Sequence, residues 1–395
     1  MKVLIISDNG TPTGYGRIAD ALGVRFRRRG WDVLALSYYY DGLLPAAQDG
    51  IPLPYHVGVL SGKPNPVQAA GQVIGAWQPD AVLSIQDFPY AVNLFQAPVA
   101  DWSKTARIII TPVDGVPLYP DWVALAGQVD GMLTISEFGV RALAGVGVRA
   151  RLCRPGINPD RFFRRTAQER AAIRAKLGVR PGDFLLGTMC MNQGRKAVTL
   201  MMQGFVEFAK DKPEARYLLD MDEVSMAGWH LPYVIEQQGW PAEKFLFRSD
   251  ALRAGVTDLT DRYNALDAHA VLSHREGYGL PLVEAMACGV VSMAMDYCSG
   301  TEIVGNGRGC LIRETGYTVP GTWGGAEDRF PDMGHFVEQL QWLHDHPAER
   351  EAMALRGMEW ARAQTWDAAA DATQAVIEEA LARRAAWQMP EEKAA

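Results

Sequence analysis

The chain reads as an α/β protein built from two doubly wound domains, each a parallel sheet covered by helices on both faces. Three observations predict this. Short apolar strands alternate with helical stretches from one end to the other. The rhythm breaks at one turn-rich segment, Arg154-Pro155-Gly156-Ile157-Asn158-Pro159-Asp160, and then restarts. The 395 residues also exceed one typical hydrophobic core.

In the first half, residues 3–7, 32–37, 81–85, 108–111 and 131–135 have the apolar character of buried strands, with helices expected at 17–29 and 66–77. The second half repeats the pattern with strands at 184–189, 216–220, 245–247, 270–272 and 290–293, and a helix at 200–210. An Ala-rich helix is expected at 367–387, and the polar tail 388–395 reads as frayed. The expected division is a first domain of residues 1–160, rejoined by the C-terminal helix at about 373–395, and a second domain of 161–372. Facing each other, two such sheets would form one cleft at the carboxyl ends of their strands, where ligands of doubly wound folds bind.

Composition narrows the class of protein. Apolar residues make up 48% and charged residues 22%, ordinary values for a soluble globular chain. A net charge of -7 argues against a protein devoted to wrapping nucleic acid. Five scattered cysteines without a Cys-x-x-Cys pair fit reduced thiols in the cytoplasm. The apolar run at the start is too short for a signal peptide, and no stretch reaches the roughly 18 apolar residues of a membrane span.

The most informative segment is Glu276-Gly277-Tyr278-Gly279-Leu280-Pro281-Leu282-Val283-Glu284. Two glycines and a proline favour an irregular loop that a ligand can approach closely. A helix is expected from Leu282, with Pro281 tolerated at its start. Free backbone N–H groups and a positive dipole end then meet at one point, which suits a phosphate. Glu276 and Glu284 flank that point and suit the hydroxyls of a sugar or ribose. Asn192-Gln193-Gly194-Arg195-Lys196 follows another strand, where Arg195 and Lys196 offer a fork and a point charge to two phosphates or form a solvated basic turn.

Weaker signals lie elsewhere at strand ends. Asp8-Asn9-Gly10-Thr11-Pro12-Thr13-Gly14-Tyr15-Gly16 is a glycine-rich turn before the first helix, there to present amides to an anion or to satisfy a positive φ. Asp220-Met221-Asp222 has the Asp-x-Asp form of a metal site but reads as a polar strand end, because further hard oxygen ligands are missing at convincing spacing. Asp87 and Asp114 are carboxylates near an acceptor, or loop and capping residues. Tyr90 and Trp122 are aromatic candidates for stacking on an acceptor, or core packing. Arg25, Arg27, Arg28 and Arg29 close the first helix, where cations are favourable in themselves, and His274 reads as structural.

These motifs together resemble the retaining glycosyltransferases of family 4, whose fold is called GT-B. The match runs almost letter for letter from Glu276 to Gly289, with support from Asp267–Ser273 and Gly300–Val304. The resemblance implies that Glu276 contacts the donor sugar and Glu284 the ribose. It implies that Gly277, Tyr278, Gly279 and Leu280 meet the sugar and diphosphate, with Asn192 on the donor side. Arg195 and Lys196 would neutralise the leaving diphosphate, with Gly14, Tyr15 and Gly16 near it and no metal or other cofactor required. Two departures stand out. Asp114 occupies the loop where many members carry a histidine, and Arg154 replaces a common histidine in the interdomain turn.

The function implied is same-face transfer of a sugar from a UDP- or GDP-linked donor to a hydroxyl acceptor, with catalytic roles for Glu276, Arg195, Lys196 and Asp114. Asp87, Tyr90 and Trp122 are the acceptor-side candidates. The acceptor is open between a small molecule, a lipid, a glycan and a modified nucleic-acid base. A nucleotide-sugar epimerase or hydrolase of the same fold is the competing enzyme, and a non-catalytic nucleotide-sugar binder the competing binding protein.

Overall fold

In the computed structural model, residues 1–42, 46–48, 51–60, 66–321 and 325–387 are described. The chain divides into two compact units, Met1–Gly156 with Thr365–Ala395, and Ile157–Gln364.

The first unit carries a parallel sheet made of the apolar runs. Its strands are β1 (Lys2–Ser7), β2 (Asp32–Ser37), a small antiparallel pair β3 (Ala47–Gln48) and β4 (Ile51–Pro52), β5 (His56–Val59), β6 (Ala81–Ile85), β7 (Ala106–Thr111), β8 (Gly131–Thr134) and β9 (Arg151–Leu152). Sheet order is β5-β2-β1-β6-β7-β8-β9 among the described residues. Strand order therefore reverses between β1 and β6, which pair in parallel from Val3 opposite Ala81. Such a reversal leaves a crevice above the strand ends because successive crossovers leave to opposite sides. The short strands β5 and β9 were absent from the sequence reading, since neither is a clear apolar run.

The second unit repeats the plan. Its strands are β10 (Phe184–Met189), β11 (Ala215–Asp220), β12 (Phe245–Phe247), β13 (Ala268–Val271), β14 (Val291–Met295) and β15 (Cys310–Ile312), ordered β12-β11-β10-β13-β14-β15. All six residues of β10 are buried, as expected of a central parallel strand. The reversal here lies between β10 and β13, with Leu186 opposite Ala268. An antiparallel hairpin of β16 (Glu314–Pro320) and β17 (Glu327–Pro331) follows β15. It is polar and lacks clean alternation, so sequence reading missed it.

The C-terminal helix, Trp366–Trp387, packs in the first unit against β7 and β8. Arg25 pairs with Asp367 at 2.8 Å and Arg29 with Asp371 at 2.6 Å. Those two cations of the basic cluster hold one helix to another and do not form an open basic patch. Arg384 caps the backbone carbonyls of Trp102 and Thr105 at 3.0 Å. The tail expected to fray, 388–395, lies outside the described residues.

Candidate active site

The strongest cluster of functional groups in the second unit sits at the carboxyl ends of β10 and β13, the two strands flanking the reversal. After β10, Gly194–Lys196 forms one 3-10 turn, and Ala197 takes a left-handed conformation (φ 52°) before the helix Val198–Phe208 begins. That turn buries Lys196 and leaves the Arg195 side chain 36% exposed. After β13, the chain runs through Ser273–Gly279. Gly279 adopts φ 93°, a conformation that an L side chain resists, and caps the helix Leu280–Ala287. The helix starts two residues earlier than expected, with Pro281 in its first turn where a missing N–H costs nothing.

Glu276 is where the two loops meet. Its Oε2 accepts from Lys196 Nζ and, at 2.9 Å, from Ser273 Oγ, while the Arg195 guanidinium lies 3.6 Å away. Burial alone would raise the carboxyl's pKa. The charges of Lys196 and then Arg195, with the hydrogen bonds, outweigh it and hold the group at about 2. Glu276 is therefore ionised at neutral pH and accepts hydrogen bonds, so it does not serve as a proton donor. The loop's path is fixed by Ser299, whose hydroxyl donates to the carbonyls of Glu276 (2.9 Å) and Tyr278 (2.8 Å).

Glu284 lies one turn into the helix Leu280–Ala287 and is buried, with Oε2 accepting from Tyr263 Oη at 2.8 Å. Gly277, Tyr278 and Gly279 are buried and Leu280 is half-buried, so this stretch offers chiefly backbone at the helix start. His269, beneath the site in β13, accepts from Met189 N at 3.3 Å, and burial pushes it down to about 3. It is a neutral structural residue.

Two expectations need correction. Asn192 does not present its amide: Nδ2 donates to the carbonyls of Asp222 and Trp229, and Oδ1 accepts from Trp229 N at 3.0 Å. It pins one loop to another. Asp220 and Asp222, read from sequence as a polar strand end, pair separately, Asp220 with buried Arg262 and Asp222 with Arg248. Gly14, Tyr15 and Gly16 are the first turn of the helix Gly14–Arg28 and not the turn before it. Thr13 caps that helix, accepting from Gly16 N at 3.0 Å.

At the β1/β6 reversal of the first unit, the positive φ belongs to Gly10 (74°), while Gly16 is required because a Cβ there would collide with the carbonyl oxygens of Thr11 and Asp8. Gly10 N and Asn9 Nδ2 donate to Asp20, a buried helix carboxylate that also accepts from Tyr55 Oη at 3.1 Å. Burial raises Asp20 to about 6 despite these bonds. Tyr15 Oη donates to Asp87, which is exposed. Tyr90 packs edge-on against Tyr38 at 5.0 Å and lies 3.3 Å, oxygen to oxygen, from Tyr39. Asp114 is half-buried in the loop after β7. Trp122 stacks on Phe88 at 5.2 Å within a small apolar cluster, which is packing.

Sequence reasoning missed Ser273, Ser299, Tyr263, Arg275 and Asp328. Ser273 stands three residues before Glu276 in the same loop, and its hydroxyl donates to that carboxylate. The other four come together only through the fold.

Residues 252–324, which hold the Glu276 loop, match the family described as "Glycosyl transferases group 1". A D-inositol 3-phosphate glycosyltransferase of Kineococcus radiotolerans is 31% identical over 242 residues, covering 59% of this chain and 52% of the relative. One from Kribbella flavida is 28% identical over 244 residues, with 59% and 51% covered. The chain thus spans about half the length of these curated relatives. Among solved structures, sucrose-phosphate synthase of Thermosynechococcus elongatus superposes with TM-score 0.75 at 17% identity, covering 97% of this chain and all (100%) of that one. Anabaena HepE, in complex with UDP and glucose, gives 0.71 at 16% identity, with 96% and 99% covered. At such identities the structures speak for the fold, and the fold is GT-B. Over the matched residues the chain is similar to glycosyltransferases of the family 4 type.

Proposed function

We propose that the protein is a retaining glycosyltransferase that moves a sugar from a nucleoside-diphosphate donor, UDP- or GDP-linked, to a hydroxyl acceptor. The observation that carries this reading is the pair of buried Lys196 with half-buried Glu276, with Arg195 beside it, at the start of the helix Leu280–Ala287 and at a strand-order reversal. Two cations and a helix N-terminus suit a diphosphate; an ionised carboxylate suits sugar hydroxyls. HepE, whose complexes hold UDP, glucose and UDP-glucose, supports the donor class by analogy of fold.

In this reading Lys196 and Arg195 stabilise charge on the departing diphosphate, and that diphosphate takes the acceptor's proton on the face it leaves. The C1–O bond to phosphate breaks as the C1–O bond to the acceptor forms, so configuration is kept. Glu276, ionised, orients the donor sugar, and Glu284 serves the ribose. Because Lys196 and Arg195 supply the positive charge, the reaction is metal-independent. The second unit is the donor side and the first the acceptor side, with Asp87, Asp114, Tyr90 and the turn at Tyr15 as its candidates. A cytoplasmic setting is proposed from the five free cysteines, and no helix among the described residues is long and apolar enough to cross a membrane.

The test is a thermal-shift screen of nucleotide sugars, then incubation of the best donor with acceptor pools and mass detection, with product anomers read by NMR. Retained configuration and activity that survives chelator support the proposal. Donor conversion without any acceptor would point instead to an epimerase or hydrolase.

A further inference from the structure

The β16–β17 hairpin grips the Glu276 loop through three consecutive residues. Asp328 Oδ1 accepts from Arg275 Nε at 2.5 Å, and Arg275 is buried. Arg329 N donates to the His274 carbonyl at 3.3 Å, while its guanidinium lies 4.3 Å over the Tyr297 ring. The Phe330 ring packs on the His274 ring at 4.3 Å. Strand alternation explains the division of labour: Asp328 and Phe330 point one way to Arg275 and His274, and Arg329 points the other way, where it also forks onto Glu314 at 2.8 and 3.0 Å. A register irregularity between Glu314 and Thr318 supplies the local twist.

The gripped residues connect directly to the site. The Arg275 carbonyl accepts from Arg195 Nη1 at 3.0 Å, and His274 N donates to the Arg195 carbonyl at 2.8 Å. Arg275 and Glu276 are neighbours in the chain. Gly321, at the end of β16, leaves room for the Arg275 guanidinium, since a Cβ there would lie 2.8 Å from Cζ. A path of packed polar contacts therefore runs from Asp328 through Arg275 to both Arg195 and Glu276.

We propose that Asp328 is a positioning residue: by holding Arg275 it sets the Arg195 guanidinium and the Glu276 carboxylate in their working geometry. The inference rests on the transferase reading above. An outer partner of this kind aligns groups that matter most when charge develops on the leaving group, so its loss falls on turnover more than on donor binding.

The experiment measures kcat and donor KM of the full chain with the best nucleotide sugar. Asp328→Ala should lower kcat about tenfold or more, with KM changed less than about threefold. Asp328→Glu should recover part of the loss. Glu327→Ala, the neighbouring carboxylate 3.9 Å from Arg329, should leave kcat within about twofold. If Asp328→Ala folds poorly, Asp328→Leu gives the same comparison, again with no acceptor oxygen. Turnover within about twofold of wild type in Asp328→Ala or Asp328→Leu, or an equal loss in Glu327→Ala, overturns the positioning role. A wild-type chain that neither binds UDP or GDP nor converts any nucleotide sugar overturns the transferase reading itself, and this inference with it.

Discussion

Lys196 and Glu276, 80 residues apart in sequence, form one part-buried ion pair that joins the loop after β10 to the loop after β13. It bridges the two strands between which the order of the second sheet reverses. The Glu276 carboxylate is held ionised against its desolvation by the charges of Lys196 and Arg195 and by the hydrogen bond from Ser273. Replacing Lys196 by Met should therefore cost stability as well as activity. A lower Tm and a Glu276 carboxyl that titrates at higher pH, followed by NMR, are the expected results. An unchanged Glu276 titration would mean that the pair is not what holds it down.

The depressed Glu276 also gives an acid signature. Its folded pKa of about 2 lies below the ordinary 4.5, so the stability it contributes is present above about pH 4.5 and is lost as pH falls through about 2. Glu276→Gln should lack that component. Acid unfolding curves of the two proteins should converge toward pH 2; parallel curves would contradict the assignment.

Asp20 gives the opposite sign in the first unit. Its pKa is raised from 3.8 to about 6 by burial, so its favourable contribution is complete below about pH 3.8 and is lost as pH rises through about 6. Asp20→Asn should flatten the stability profile between those values. Melting of the two proteins across pH 4 to 7 checks this, and an identical slope would count against it.

Arg262→Ala should destabilise the second unit by about 3–5 kcal/mol, because it leaves the Asp220 carboxylate buried without its cation. Denaturant unfolding measures this. Chelator should leave transfer unaffected, whereas activity lost to chelator and restored by Mg²⁺ would return Asp220 and Asp222 to consideration as ligands.

How far the sequence could be read depended on the kind of force involved. Strands β2, β6, β10 and β12 were legible to the residue because each is an apolar run between turn formers. Most helix starts were read late, while the helix Pro66–Trp77 was read to the residue. The helix Gly14–Arg28 begins three residues before the expected position, since the Thr13 hydroxyl caps it and glycines in a first turn look like loop. Glu276, Arg195 and Lys196 were legible as a motif, and the fold brings them within contact. Asn192 was misread because its partners are backbone groups of Asp222 and Trp229, some thirty residues away and marked by no local pattern. The Asp328–Arg275 contact was illegible for the same reason: a polar hairpin has no periodic signature, and its partner is fixed only by tertiary packing.

The central claim is that Arg195, Lys196 and the Glu276 loop bind the diphosphate of a sugar nucleotide, and calorimetric titration of UDP and GDP tests it most directly. The wild-type chain should bind one of them at a single site, and Arg195→Ala/Lys196→Ala should lose about 2–4 kcal/mol of that affinity while remaining folded. Equal binding by the folded double variant would contradict the account.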